Sequence, residues 1–465
     1  MRSNQPAGLF LGLVFLVRLS AADADQATAA GDWSQWRGPH WNGVAPEADP
    51  PTTWGSADNL KWKVPVEGKG WATPIISGER IFLLTAIELD KEMPVPDLIP
   101  PGTPNINDHP QVVGKWKPQQ FAVLCLARGS GRLLWKRVAH EAMPHQGHHN
   151  KGGFASASPV TDGRHVYAYF GSMGLYCYDL DGRLIWEKKF APQAIEDSLG
   201  EGSSPALFGN TLVIVVDQET QSFVIAIDKR TGKEIWRTDR DETSNWSTPR
   251  IFTHGGRDQV VVNGATVRNY DLATGQLLWE CGGHTAGAIP MPAVGHGMVF
   301  TASGWQKDVL QAIRLGQRGD LTGSEHLAWS LDRGTPYVPC PMLWGDELYV
   351  LEDQSFFSCY DAREGERHFK HRLPGAGLKF SASPVAAADR IYLLSESGTT
   401  VVLRRGVEVE VLAVNDLEGE TFYASPAIAG DAIYLRGDKH LYCFEGSAGA
   451  PAPAPVPVDA GTPSP

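Results

Sequence analysis

Short runs of alternating apolar and polar positions, rich in Val, Ile, Tyr and Phe, recur along the 465 residues and are punctuated by glycine-bearing turns. A period of two is the signature of strands. It excludes stacked helical repeats, whose apolar positions return every three or four residues. The runs fall into groups, and one copy is especially clean: Ala157-Ser158-Pro159-Val160, then Val166 to Phe170, Gly174 to Asp179, and Gly182-Arg183-Leu184-Ile185-Trp186. Pro74, Pro159, Pro205, Pro249, Pro292, Pro341, Pro384 and Pro426 open successive groups. A small residue or a cysteine precedes each except Pro292, which follows Met291, and most groups run to a tryptophan.

The intervals between these prolines are 85, 46, 44, 43, 49, 43 and 42 residues. Four strands of about five residues with short turns need roughly 40 residues, the length of one propeller blade. The pattern therefore predicts an all-β, eight-bladed β-propeller of four-stranded antiparallel blades. Proline suits the first position of each blade because a strand start tolerates the missing N–H. The eighth group supplies only three strands, ending at His440 to Phe444, whereas Leu60 to Val66 resembles a blade-closing strand that precedes the first proline. The ring is thus expected to close with that N-terminal strand completing the last blade, which leaves no open sheet end.

The expected organisation is a signal peptide over residues 1–22, a strap or plug over 23–59, the propeller over 60–446 with an inserted loop at 87–120, and a Pro/Ala-rich disordered tail over 447–465. Arg2, the apolar stretch Leu9 to Val17 and the small residues Ser20-Ala21-Ala22 suit export, and the apolar stretch is too short to span a bilayer. The segment Trp33 to Gly43 is too aromatic for a free linker, and the insert carries seven prolines. Long loops of that kind are often functional. Blade seven is the weakest copy, since Val401 to Val411 lacks both the turn glycine and the tryptophan.

Formal charge is −12, with no basic run, so nucleic acid is disfavoured as a partner. Six cysteines in an exported chain invite a disulfide reading, but Cys125, Cys177, Cys359 and Cys443 share one slot of the repeat with Ala226 and Ala312. That slot calls for a small apolar side chain, and free cysteine serves as one.

The form seen in Phe223 to Trp236, a β run followed by Ala226, Asp228, Thr231-Gly232 and Trp236, resembles the repeat of the quinoprotein-like, or PQQ-like repeat, eight-bladed propellers. Trp33 to Pro39 is similar to the Trp-x-x-Trp-Arg-Gly-Pro opening of exported PQQ-like repeat proteins. More distantly, the chain resembles BamB-type assembly scaffolds. The resemblance implies the ring and says little of activity. Quinone dehydrogenases of this class hold PQQ with calcium and in many members use two adjacent cysteines; no two cysteines are adjacent here, and no Cys-x-x-Cys-His haem motif occurs.

No hydrolase elbow or zinc-protease motif appears either. The concentrated ligand set is the histidine-rich stretch from His140, in which His145, His148 and His149 are candidate metal ligands, although a polar loop with hydrogen-bonded or solvated histidines is the preferred reading. Asn245-Trp246-Ser247 matches a glycosylation sequon. Residues entering the inner strands on one face, namely His149, Lys151, Glu201, Trp246, His284, Tyr337, Lys379 and Tyr423, are candidates for a binding surface around the central funnel. The function expected is an exported, non-catalytic binding or scaffolding module, periplasmic or secreted. Its partner would be a protein or an extracellular glycan, membranes would be met only peripherally, and no cofactor is expected. The alternative is a PQQ- or metal-dependent oxidoreductase using the funnel. Glycan binding would use Trp246 and Tyr337 as exposed aromatics.

Overall fold

The structure is a computed structural model that describes residues 31–94, 103, 109–375 and 377–446. The expected signal peptide, the tail and part of the insert lie outside these residues. Eight antiparallel blades form the ring, and innermost strands of neighbouring blades contact one another around the axis, those of blades 8 and 1 among them. Blade 1 contains Ile75–Ser77, Arg80–Glu88, Gln119–Ala127 and Leu133–Ala142. Blade 8 contains Ala427–Ala429, Ala432–Arg436 and His440–Glu445, and its outer strand is Leu60–Pro65, paired with His440–Glu445. The N-terminal strand therefore closes the ring.

Two blades depart from four strands. Val44–Ala45 adds in parallel to the inner strand Val385–Ala387 of blade 7, and Gly319–Asp320 adds in parallel to the outer strand Leu277–Cys281 of blade 4. Blade 7, expected to be weak, is regular; Val402 pairs with Ala413 where blade 6 places Phe369 and the remaining blades a tryptophan, and apolar packing replaces the missing ring. The insert is shorter than expected, because blade 1 strands run to Glu88 and resume at Gln119.

Strand register explains the small slot. Cys125 stands between Phe82 and Trp135, Cys177 between Tyr167 and Trp186, Cys359 between Tyr349 and Phe369, and Cys443 between Tyr434 and Trp62. With bulky rings on both sides, only a small side chain fits. All six cysteines are free and buried, and burial pushes the four slot thiols up to about 12, far from nucleophilic thiolates. Directly after the slot the register of the third and fourth strands shifts by one residue, as at Ala226/Ile227, giving a bulge that raises the local twist. The neighbouring tryptophan then reaches the next blade. Trp62, Trp135, Trp186, Trp236 and Trp329 donate their indole N–H to the carbonyls of Arg128, Leu180, Lys229, Leu272 and Ala362 at 2.8–3.0 Å.

The residues before the anchoring prolines make a second inter-blade system. The Thr73 amide donates to Ser158 Oγ (2.9 Å), Ser158 to Ser204 Oγ (2.9 Å), Ser204 to Thr248 Oγ1 (3.0 Å), Cys340 to Ser383 Oγ (2.9 Å) and Ser383 to Ser425 Oγ (3.0 Å). Met291 lacks a hydroxyl; its amide donates to Cys340 Sγ (3.2 Å), and Ser247 Oγ supplies the missing link by donating to the Pro290 carbonyl (3.0 Å). The closing link is Thr73 Oγ1 to the Ser425 carbonyl (3.0 Å). A buried amide left without a partner is costly, so this girdle explains the Ser/Thr/Cys-Pro pairs.

Residues 32–45 cross the end of the ring where first and second strands turn. Trp33 exchanges backbone bonds with Ile76, Ser34 accepts from Thr161, and Gly43 accepts from Ala386. Arg37 is buried and donates to the Pro384 carbonyl (2.6 Å) and the Asn42 carbonyl (3.1 Å), while Arg250 donates to the His40 carbonyl and lies over Trp41. The chain's own N-terminal segment thus covers that end. Among the described residues no helix is long and apolar enough to cross a membrane.

Candidate functional site

At the opposite end, loops joining blades 1 to 2, 2 to 3 and 3 to 4 enclose an open cleft. Its walls include Phe154, Tyr169, Phe170, Met173 and Trp246, and its polar side chains include His145, Gln193, Glu201, Asp217 and Asn245. The insert supports the outer wall: Val112–Val113 pairs with His148–His149, and the Gln111 carbonyl accepts from the Asn150 amide (2.8 Å).

Glu201 is the chemically distinct group. Its Oε2 accepts from the Ser172 amide and its Oε1 from Ser172 Oγ, both at 2.7 Å. Gly171 makes this approach possible, since a Cβ there would fall 1.5 Å from Glu201 Oε2, and its φ of +57° also favours glycine. The residue keeps part of its surface open while burial of the carboxyl, opposed by the two Ser172 bonds, pushes its pKa up to about 7. No cation pairs with it among the described residues. Asp217, by contrast, is neutralised: Arg240 Nε and Nη2 donate to its two oxygens at 2.7 and 3.1 Å, with both side chains fully buried.

A carboxyl whose folded pKa lies above its unfolded value of about 4.3 contributes a stability that is present in acid and lost as pH rises through the folded pKa. Glu201→Gln therefore raises stability relative to the parent at pH 8.5, by on the order of 2 kcal/mol once one weakened Ser172 bond is discounted. At pH 4 the ionisation penalty is absent, so the variant should be the less stable of the two by that weakened bond, about 1 kcal/mol. Thermal melts at both pH values check this, and an equal difference at the two would show that Glu201 is not a desolvated acid.

The candidates predicted from the sequence separate into three places. His145, Glu201 and Trp246 meet in the cleft. Lys151 reaches Glu396 (2.9 Å) and lies 6.0 Å over the Tyr423 ring, which stands edge-on to Trp71. Tyr337 stacks on Trp305 at 5.6 Å. The Lys379 side chain is exposed, and its carbonyl accepts from the amide of that same Glu396 (2.8 Å). The histidines do not converge: His145 Nε2 bonds the Gln193 carbonyl (2.8 Å), His148 Nδ1 the His149 carbonyl (2.8 Å) and His149 Nε2 the Gln111 side chain (2.9 Å). Burial lowers the pKa of all three.

Three expectations need correction. His284 is not a surface group; it is buried between Thr301 and Ser303, and desolvation lowers its pKa to about 4. Asn245 is no glycosylation acceptor, because its buried amide donates to Asp217, Glu242 and the Thr243 carbonyl. Trp246 and Tyr337 are half-buried; the exposed tryptophans among the described residues are Trp305, 58% accessible, and Trp116, 42%. Reading the sequence missed Trp305, Ser172, Tyr169 and the Asp217–Arg240 pair. The one available signal was a tryptophan within the polar turn Gly304 to Asp308.

A calcium-held quinone needs several oxygen donors converging on one point. Asp217 gives both oxygens to Arg240 and Asn245 Oδ1 accepts from the Ala288 amide (2.9 Å), so of the two cleft carboxylates Glu201 alone lacks a cation among the described residues. Among the described residues no group of three His, Cys, Asp or Glu is placed to hold a metal ion.

In overall shape the chain is similar to BamB from Moraxella catarrhalis (TM-score 0.50, 12% identity, covering 78% of this chain and 98% of that one). It is also similar to quinohemoprotein alcohol dehydrogenase from Comamonas testosteroni (TM-score 0.58, 11% identity, covering 93% and 84%). The computationally designed Ika8 protein matches too (TM-score 0.51, 13% identity, covering 73% and 98%). At such identities the likeness concerns the ring alone. No curated protein matches the chain in sequence. A family model described as outer membrane protein assembly factor BamB matches residues 119–371 and 263–445, well over half of the 465 residues, and with the repeat geometry above it shows that the chain belongs to the PQQ-like repeat propeller family.

Proposed function

We propose that the chain is an exported, non-catalytic binding module that holds a protein partner on the end of the ring away from the strap. The observation that carries this reading is the stack of Trp305 on Tyr337. Trp305 is the most exposed of the large hydrophobic residues described, its ring stacks on Tyr337 with centroids 5.6 Å apart, and Gly287 lies between it and Trp246 at the cleft. Exposed tryptophan and tyrosine are among the residues that dominate protein interfaces. The assembly-factor description of the family supports a scaffolding role, and the expected leader supports a periplasmic or secreted location.

The test is cross-linked capture from the cell envelope or secreted fraction, comparing the parent with Trp305→Ala. That substitution removes an exposed ring and should leave the melting temperature almost unchanged. A protein recovered by the parent and depleted about tenfold or more by the variant, in line with an aromatic hot spot, is the expected result. Equal recovery, or a glycan as the sole ligand lost on substitution, would overturn the protein-partner reading.

A further inference from the structure

We propose that the cleft beside blades 2 and 3 binds an organic ammonium group, with the charge against Glu201 and the alkyl stem between Phe154, Phe170 and Trp246. Within the binding reading above, on which this rests, the group is the lysine side chain of the partner.

Three observations converge on that ligand. First, no lysine or arginine lines the cleft, and of its two carboxylates only Glu201 lacks a cation among the described residues. Ser172 approaches both Glu201 oxygens, and each oxygen retains acceptor capacity beyond that one bond. A charge-assisted N–H donor is the partner that would offset its burial. Second, Phe154, Tyr169, Phe170, Trp246 and Met173 stand in the walls beside neutral polar groups and small residues, and aromatic rings attract a cation where they would not attract an anion. Third, the chain is acidic overall, so a basic partner is drawn to it.

The other titratable groups on these walls are His145, Tyr169 and Asp217. Burial disfavours the charged form of His145 and pushes the Tyr169 hydroxyl far upward; burial pushes the Asp217 carboxyl up as well, opposed by its ion pair with Arg240, which leaves no acceptor charge free for a ligand. Glu201 is the group that changes charge, and an ammonium ligand bound to it would hold it ionised and displace a proton.

The full chain titrated calorimetrically with n-butylammonium chloride tests this, with n-butanol as the uncharged comparison. The expected result is saturable binding in the millimolar range or tighter, about tenfold stronger at pH 8 than at pH 6 because ionised Glu201 is the binding form. Glu201→Gln should weaken binding at pH 8 by about tenfold or more and flatten the pH dependence. Ser172→Ala keeps the charge but removes one donor, so it should still bind, with the midpoint moved to higher pH, and this readout stands should the Gln variant fail to fold. Equal binding by Glu201→Gln, n-butanol binding as well as the ammonium, or tighter binding at pH 6 would overturn the proposal. The two readings can fail separately. Ammonium binding without a captured partner removes only the scaffold reading, whereas a partner lost on Trp305→Ala but kept on Glu201→Gln removes only this one.

Discussion

Arg240→Met will destabilise the ring by about 3–5 kcal/mol, because it strips the partner from a buried carboxylate. Asp217 and Arg240 are both fully enclosed, Arg240 also donates to the Tyr270 hydroxyl (3.0 Å), and Asn245 adds a bond to Asp217 (3.1 Å). Burial works against the guanidinium charge, but the Asp217 carboxylate outweighs it and holds Arg240 firmly protonated. Without that cation, Asp217 is left to take up a proton, so the loss should shrink as pH falls. Urea unfolding of the parent, Arg240→Met and the double variant Asp217→Leu/Arg240→Met measures the effect. Replacing both partners with apolar groups should recover much of the loss, since an apolar pair of similar volume is often neutral relative to a buried ion pair. A double variant no more stable than Arg240→Met alone would refute this account of the pair.

Gly275→Val will cost about 3–4 kcal/mol through two separate causes. The residue sits at φ +73°, where a β-branched side chain is strained. A Cβ there would also lie 2.5 Å from the ring of Trp236, which is buried and bonded to the Leu272 carbonyl. Gly256→Val separates the causes, since its φ is the same +73° but a Cβ there meets nothing within 4 Å. That variant should lose only the backbone strain, about 1–2 kcal/mol. Equal losses at the two sites, measured by denaturant melts, would mean that the contact between tryptophan and turn glycine carries no energy.

The docking turn was legible in the sequence because every part of it is local. Thr274-Gly275 marks the turn, Trp236 ends its strand, and the small slot at Ala226 follows the same beat. The hydroxyl girdle was half legible. Each Ser-Pro or Thr-Pro pair was visible as an anchor, but its hydroxyl accepts from the neighbouring blade, a partner about forty residues away. Trp305 was passed over because single-residue exposure depends on which loops fold over it, and Tyr337 beneath it comes from the next inter-blade connection.

The sequence by itself determined the ring: the strand period, the eight groups, the packing role of the slot cysteines, and the closure of blade 8 by Leu60–Pro65. These follow from alternation and turn chemistry, which act within a few residues and repeat, so each copy corroborates the others. The tertiary structure alone decided the chemistry. Glu201 meets Ser172 across 29 residues, Asp217 meets Arg240 across 23, and Asn245 closes on Ala288 across 43. Each contact occurs once, between loops whose approach is set by the twist and packing of whole blades, and a periodic signal carries no information about features that do not repeat.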